Sequence, residues 1–348
     1  RYRVRPGRDT TPVWWSPRFA GSRLYIPRPP NVSRMDFGYH NASFVYEGKD
    51  SPADAMAERA KLVEDAGFTW FTLMDHFWQL AGIGHHDEPF IECYSGLSAL
   101  ARETESMDLS ALVTCVHYRN PAMLAKTMAS LDTLSEGRAM LSIGAGWYTA
   151  EYDAVGIEYP DAETRIHQMR DAIELCQAAW NEPSPVEYEG EYYDLDGLYL
   201  DPKPEQIPVM IGGGGEQLTL RATAEYADAW NVPGSDPDTY AHKLDVLKDH
   251  CDDFDREYGD IEKTVTLSAL IRDSTETAHE DYETLLAESE SGPTPREEFR
   301  GLVGTESEVA GLVERYGELG VDTLQIQPVK NDRESVLRFI DGVMPEFA

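Results

Sequence analysis

Lysine and cysteine are scarce in this 348-residue sequence, and long apolar runs are missing. No stretch approaches the roughly 18 consecutive apolar residues of a membrane-spanning helix, so we expect no such span. The four cysteines lie far apart and form no C-x-x-C pair, which indicates reduced, mostly buried thiols and favours the cytoplasm. No G-x-S-x-G, P-loop or G-x-G-x-x-G motif occurs, so neither that type of serine nucleophile nor a P-loop or Rossmann phosphate site is predicted.

Acidic residues dominate the charged positions. The chain has 63 acidic and 30 basic residues, a net charge of −33, and only eight of the basic residues are lysine. Such a chain repels nucleic-acid phosphates and anionic membranes, so we expect neither as a partner. The acids are scattered through the predicted helices, which indicates a solvated surface that stays hydrated in salt. We interpret the protein as halophilic and of haloarchaeal origin; an ordinary acidic enzyme is the plainer alternative.

The first 34 residues differ in composition from the rest. They hold eight of the basic residues, all arginine, and one acid, which leaves 22 bases and 62 acids in residues 35–348, a net charge of −40. We expect residues 1–34 to be a basic, disordered extension that is not part of the fold, with Met35 as the natural start; a functional basic arm is the alternative. Residues 35–348 are predicted to form one domain.

From Met35 onward, short apolar runs alternate with amphipathic helices, the pattern of parallel β/α architecture. Eight strands of this kind predict a (β/α)₈ TIM barrel, with a doubly wound open sheet as the alternative. Proline, glycine and tyrosine interrupt the pattern near 181–206, which predicts an inserted hairpin or loop. The predicted strands are Met35–Tyr39, Phe68–Met74, Leu109–Thr114, Met140–Ile143, Pro208–Ile211, Ala229–Val232, Val265–Ile271 and Thr323–Gln327.

Polar residues follow the second predicted strand, where a barrel places its chemistry. Asp75 and His76 stand at this carboxyl end. A histidine beside a carboxylate can exchange a proton near neutral pH, as general acid–base catalysis requires. A histidine that its neighbouring aspartate merely holds in place is the structural alternative.

Glycine marks the ends of the fourth and fifth predicted strands. Gly144–Trp147 would let a flat ring lie close to the backbone, although a tight turn fits as well. Four glycines at 212–215 precede a helix and would expose N–H groups to a phosphate; a flexible loop is the alternative. His85 and His86 are adjacent and lack further ligand spacing, so no metal site is predicted.

Taken together, these strand-end motifs resemble the luciferase-like monooxygenase superfamily, and within it the branch that depends on the deazaflavin coenzyme F420. The resemblance runs from about Met35 to the C-terminus. Its most specific pieces are Trp70–Phe77, Tyr118–Pro121, Leu131–Arg138, Gly144–Trp147, and Pro202–Pro204 leading to Ile211–Gly213.

The resemblance implies a role for each matching residue. His76 would be the catalytic proton-transfer residue, with Asp75 as its neighbour beside the deazaflavin ring. Thr114 would contact the ring where the family often has a non-proline cis peptide. Glu151 lies in a segment that would close over the coenzyme. The remaining coenzyme contacts would be Ala145, Gly146, Gly213, Gly214 and Gly215.

The implied reaction is hydride transfer between the deazaflavin C5 and a small organic substrate. An FMN-dependent monooxygenase and a non-catalytic flavin-binding barrel are the alternatives. The family's sugar-phosphate dehydrogenases have a catalytic glutamate where this chain has Trp147, which argues against a sugar phosphate as substrate. We expect a homodimer that acts on a small molecule. If His76 were not the proton-transfer residue, Glu92, His117 and Glu151 would be the next candidates.

The charge predicts that folding needs molar salt. Self-repulsion within residues 35–348 should dominate at low ionic strength and be screened above about 1 M, where the Debye length is about 3 Å. Unfolding followed by circular dichroism should therefore show stability rising with KCl. Equal stability at about 0.1 M and about 2 M KCl would contradict the prediction.

Overall fold

A computed structural model describes residues 35–287, 289–295 and 298–347; the predicted basic extension 1–34 lies outside them. The strands are β1 (Asp36–Asn41), β2 (Trp70–Leu73), β3 (Asp108–Ala111), β4 (Thr114–Cys115), β5 (Leu141–Gly144), β6 (Val186–Glu189), β7 (Asp194–Leu198), β8 (Val209–Gly212), β9 (Ala229–Pro233), β10 (Glu262–Ile271), β11 (Gly301–Gly304) and β12 (Thr323–Pro328). The α-helices are α1 (Pro52–Asp65), α2 (Cys93–Glu103), α3 (Pro121–Ser135), α4 (Thr149–Val155), α5 (Ala162–Asn181), α6 (Thr219–Tyr226), α7 (Pro237–Asp253), α8 (Thr275–Leu286), α9 (Glu306–Glu318) and α10 (Arg333–Arg338).

Parallel strands close into a barrel in the order β3-β2-β1-β12-β10-β9-β8-β5-β4. The two ends of this path, β3 and β4, are halves of the third predicted strand. Its first half pairs with β2 and its second half with β5. Between them the Leu112–Val113 peptide bond is cis. Leu109 completes the closure, because its N–H donates to Arg138 O and its carbonyl accepts from Met140 N–H. The predicted (β/α)₈ barrel is confirmed.

Helix starts follow the capping residues in the sequence. Ser51, Asn120 and Asp236 each accept a backbone N–H of the following first turn, and a proline occupies the first helical position behind each of them. Thr305 and Glu308 form a capping box at the start of α9. These caps orient the outer helices against the barrel.

Side chains alternate between the two faces of each strand and so form two hydrophobic clusters, one outside the barrel and one inside it. Outward-facing residues such as Phe71, Leu324 and Ile326 belong to the large cluster between strands and helices. Inside the barrel, a smaller apolar layer consists of Trp70, Met140, Met210 and Ala229. The barrel is therefore filled with side chains and is not a pore.

A polar layer lies inside the barrel and continues across the strands. His40 Nδ1 is 2.9 Å from Thr72 Oγ1, and Thr72 Oγ1 donates to Gln325 Oε1 at 2.9 Å. On the other side, the Asn231 amide donates to the hydroxyls of Thr264 and Thr266 at 2.8 and 3.0 Å. The hydrogen bonds compensate for the burial of these groups. They also give the interior a polar lining.

The inserted segment predicted near 181–206 contains an antiparallel hairpin of β6 and β7. Helices α2 and α4 and strand β11 had not been predicted, and the third predicted strand is divided in two. Helix α2 fills the connection after β2, and β11 pairs with the second half of β10.

Within the described ranges, no helix is long and apolar enough to cross a membrane. The four cysteines are buried and carry free thiols.

Candidate active site

The carboxyl ends of β2, β4, β5 and β8 meet at one mouth of the barrel. The connection after β2 contains Asp75 and His76, and the connection after β5 contains Ala145, Gly146 and Trp147. The fold thus brings together residues that are far apart in sequence. Among the described residues, no three histidine, cysteine, aspartate or glutamate side chains are placed to share a metal ion.

Asp75 is bound by Arg119, and His76 is not its partner. The two guanidinium nitrogens of Arg119 donate to the two Asp75 oxygens at 2.7 and 2.8 Å, and Cys115 N–H donates to Oδ2 at 3.0 Å. Arg119 also donates to Glu92, the N-cap of α2, and lies 4.6 Å from the ring centre of Tyr94. Because this bidentate pair is largely buried, loss of either partner would leave an uncompensated charge.

His76 is bound to Glu151 of α4, which is fully buried. His76 Nδ1 lies 2.7 Å from Glu151 Oε2, Phe77 N–H donates to Oε1 at 2.6 Å, and the Tyr118 hydroxyl donates to Oε2. An ionised carboxylate only accepts hydrogen bonds, so Nδ1 of His76 carries its proton. The structural alternative, in which the neighbouring Asp75 holds His76, does not apply, because Asp75 binds Arg119 and His76 binds Glu151.

Three hydrogen bonds keep Glu151 ionised. Burial raises the pKa of the Glu151 carboxyl, but the bonds from His76, Tyr118 and the Phe77 N–H outweigh it and hold the pKa below its ordinary value. The carboxylate can therefore stabilise positive charge on His76 when the ring takes up a proton. This pairing suits a residue that gives and receives protons.

Close packing explains the glycines at the ends of β5 and β8. A Cβ at Gly144 or Gly212 would lie 2.7 or 2.6 Å from the side chain of Val113. At Gly146, whose φ is +76°, a Cβ would lie 1.9 Å from the Tyr152 hydroxyl. Real Cβ atoms do not approach so closely, so these positions need glycine, and the strand ends pack directly against Val113 and Tyr152.

The second glycine run, Gly213 to Gly215, connects β8 to α6. Gly213 has φ +130°, and Trp230 Nε1 donates to its carbonyl at 2.8 Å. Lys243 donates to the Gly214 carbonyl at 2.7 Å and lies 3.4 Å from Glu216 Oε1, so the positive charge that it brings to the loop is partly paired. The loop combines backbone close to the mouth with a nearby cation, a combination that suits an anionic group.

Aromatic side chains form a rim around His76. The rings of Trp147 and Tyr148 each lie 5.9 Å from its ring, nearly perpendicular to it. Trp147 is 63% exposed and Phe77 41% exposed. The half-buried Trp78 has a buried Nε1 that donates to no acceptor in the described ranges. The rim therefore presents large apolar faces, and a donor without a partner lies buried beside them.

The predicted site residues occupy two levels. His76, Ala145, Gly146 and the loop Gly213, Gly214 and Gly215 are partly accessible, whereas Asp75, Thr114 and Glu151 are at most 5% exposed. Thr114 Oγ1 bonds to the Tyr94 hydroxyl at 2.6 Å. In this structure Asp75, Thr114 and Glu151 are buried beneath the accessible residues. Their contact with a coenzyme stays a prediction.

Sequence reasoning missed several partners. His117 lies between the Tyr152 hydroxyl and Gln168 Oε1, each at 2.8 Å, and so does not contact His76 or Glu151. His40 and Tyr118 were not predicted as site residues. The position of His40 near the end of β1 was the available signal for that residue. Tyr118 lay within a motif that had already been singled out.

Comparison with known proteins gives consistent matches. The family model described as luciferase-like monooxygenase matches residues 35–301. An F420-dependent glucose-6-phosphate dehydrogenase of Kineococcus radiotolerans is 27% identical over 83% of this chain and 92% of its own length. A 5,10-methylenetetrahydromethanopterin reductase of Archaeoglobus fulgidus is 31% identical over 55% of this chain and 52% of its own length.

A solved structure supports the same fold. It is an F420-dependent secondary alcohol dehydrogenase in complex with an F420–acetone adduct, with a TM-score of 0.74 and 21% sequence identity. The match covers 90% of this chain and 99% of that one. The shared architecture includes the barrel that carries the strand-end residues described above.

The buried Glu151 carboxylate gives a prediction for stability. Glu151→Gln should lower the free energy of unfolding at neutral pH by about 1–3 kcal/mol, because hydrogen bonds to a charged group are weakened. Since the folded-state pKa of Glu151 is lowered, its contribution is complete above the ordinary value of about 4.3 and is lost as pH falls through the folded value. The difference between wild type and variant should shrink on acidification.

Urea unfolding at a series of pH values and constant salt measures this difference. Glu158→Gln, at an exposed glutamate after α4, is the matched control and should change stability little at any pH. An equal loss for Glu151→Gln at neutral and acidic pH would contradict the role given to the ionised carboxylate.

Proposed function

The chain belongs to the luciferase-like monooxygenase family, and on that premise we propose that it is an F420-dependent oxidoreductase. It would transfer a hydride between C5 of the deazaflavin and a small organic substrate. Support comes from the F420-dependent relatives, and the single observation that carries the catalytic part is the buried Glu151 bound to His76 at the mouth.

The residues present fit such a coenzyme. Gly144, Gly146 and Gly212 let the ends of β5 and β8 pack closely against Val113 and Tyr152, which keeps the backbone at the mouth in place. Ala145 and Gly146 would contact it from the end of β5. Gly213 to Gly215 and Lys243 would hold its phosphate side, and the unpartnered Trp78 Nε1 is a further donor. When bound, the coenzyme supplies a carbon that accepts or gives a hydride.

His76 would move the proton that accompanies the hydride. Its Nδ1 is bound to Glu151, and its Nε2 has no hydrogen-bond partner within the described residues. The Glu151 carboxylate therefore fixes the orientation of the imidazole ring through Nδ1, and Nε2 is free to exchange a proton in the mouth. General acid–base catalysis requires this combination of an anchored ring and a free nitrogen.

In this proposal the substrate is an uncharged organic molecule and not a sugar phosphate. Trp147 stands where the family's sugar-phosphate dehydrogenases have a catalytic glutamate, and its indole is 63% exposed. The nearby Arg119 is already neutralised by Asp75 and Glu92. An uncharged organic molecule is better matched to this surface than a phosphate ester.

We further propose that the enzyme works as a homodimer in a salt-rich, haloarchaeal cytoplasm. The net charge of −33 and the four free, buried thiols support this setting. Sedimentation in molar KCl tests the oligomeric state; a monomer would reject that part.

A fluorescence titration tests the choice of coenzyme. Purified protein should quench the fluorescence of F420 as it binds, and it should bind FMN much more weakly. Tight FMN binding without F420 binding would favour the FMN-dependent monooxygenase. Binding without turnover for any alcohol or ketone substrate would favour a non-catalytic flavin-binding barrel.

Replacement of His76 tests the catalytic assignment. His76→Asn should lower kcat by about 10²–10⁴-fold, the usual contribution of general acid–base catalysis. The Kd for F420 should change far less, since backbone groups would hold the phosphate side. His279→Asn, on the outer helix α8, is the matched control. Full kcat in His76→Asn would end the assignment, and a parallel loss of binding and turnover would indicate that His76 only packs against the ring.

A further inference from the structure

A second histidine, His40, lies inside the barrel below His76. It stands one residue before the end of β1 and pairs in register with Thr72 of β2. His40 shares its face of β1 with Gly38, whose Cβ would lie 2.7 Å from the Gln325 side chain inside the barrel. Beyond β2 the chain continues from Thr72 to His76, which is near enough for its charge to act on His40. The two histidines therefore lie at successive depths of one mouth.

Neutral groups hold the ring of His40. The single hydroxyl hydrogen of Thr72 is donated to Gln325 Oε1 at 2.9 Å. With the Gln325 amide in this orientation, Thr72 Oγ1 accepts from His40 Nδ1, which is 2.9 Å away. This arrangement places the hydrogen of His40 on Nδ1 and leaves the buried Nε2 of Gln325 without a partner among the described residues. Nε2 of His40 then has a lone pair and no hydrogen-bond partner in the described ranges, and the residue is 4% exposed.

The surroundings keep this lone pair free of a proton. Burial, and to a smaller extent the nearby charge of His76, lower the pKa of His40 to about 3, although a hydrogen bond with the Thr72 backbone opposes them. His40 is thus neutral wherever the protein is folded near neutral pH. The lone pair is therefore available to accept a hydrogen bond from a water molecule or a ligand.

We propose that His40 Nε2 accepts a hydrogen bond from an uncharged N–H or O–H group of the ligand bound in the mouth. The inference rests on the proposed function. His40 would then be a binding residue that selects a neutral hydrogen-bond donor, in contrast to His76, which moves a proton. An imide N–H of the coenzyme and a hydroxyl of the substrate share this chemistry.

Nitrogen NMR of the full chain tests the tautomer without any ligand. In protein labelled with ¹⁵N-histidine, the His40 signals, identified by their loss in His40→Gln, should show a protonated Nδ1 and an unprotonated Nε2 between about pH 6 and 8. Thr72→Val should lose this preference. A protonated Nε2 in the wild type would overturn the inference.

Binding measurements separate the two sources of the donor. His40→Leu removes the acceptor and should weaken one ligand by roughly tenfold to a hundredfold. A higher Kd for F420 identifies the coenzyme as the donor. An unchanged Kd with a higher KM for a neutral alcohol probe such as 2-propanol or 1-phenylethanol identifies the substrate.

Two controls keep the test decisive. His40→Gln retains an acceptor oxygen and should recover part of the loss, whereas a merely structural role would leave both variants equally impaired. His279→Leu on α8 should change neither constant, and thermal unfolding checks that each variant folds. Unchanged Kd and KM in folded His40→Leu would overturn the inference. A wild type that binds no F420 would instead reject the proposed function, because the NMR measurement needs no coenzyme.

Discussion

A buried carboxylate constrains the whole mouth of this barrel. Glu151 has no exposed surface, so its charge must be compensated by donors from the protein. Those donors come from the connection after β2 and from the segment after β4, while Glu151 itself belongs to the short helix after β5. One anion thus joins three separate connections. The position of His76 follows from that constraint, as does the position of the aromatic rim beside it.

Much of the fold could be predicted from periodicity, because apolar runs and helix caps are local signals. Ser51, Asn120 and Asp236 cap helices in the structure, and each precedes a proline, which is a pattern that local sequence carries. The short helix α4 and strand β11 gave too few turns or residues for a pattern to emerge. The division of the third strand could not be predicted either, since it appears only in the pairing: the first half pairs with β2 and the second half with β5.

The site was predictable in its location and less so in its contacts. The rule that barrel chemistry lies at the strand ends pointed to Asp75 and His76. Adjacent residues in extended chain point in opposite directions, so these two side chains find different partners. Arg119 binds one and Glu151 the other, and both lie more than 40 residues further along the chain. Only the closed barrel brings those partners close.

The exposed aromatic rim determines how the affinity for a ligand depends on the salt concentration. Concentrated salt shortens the range of charge–charge attraction, and salts that are excluded from protein surfaces strengthen the burial of apolar groups. Trp147 and Phe77 have exposed indole and phenyl faces. Arg119, the arginine of the mouth, is already paired with Asp75. Affinity that depends on such faces persists in concentrated salt, whereas the attraction between a phosphate and the Lys243 ammonium is weakened there, which leaves the backbone N–H groups to hold the phosphate.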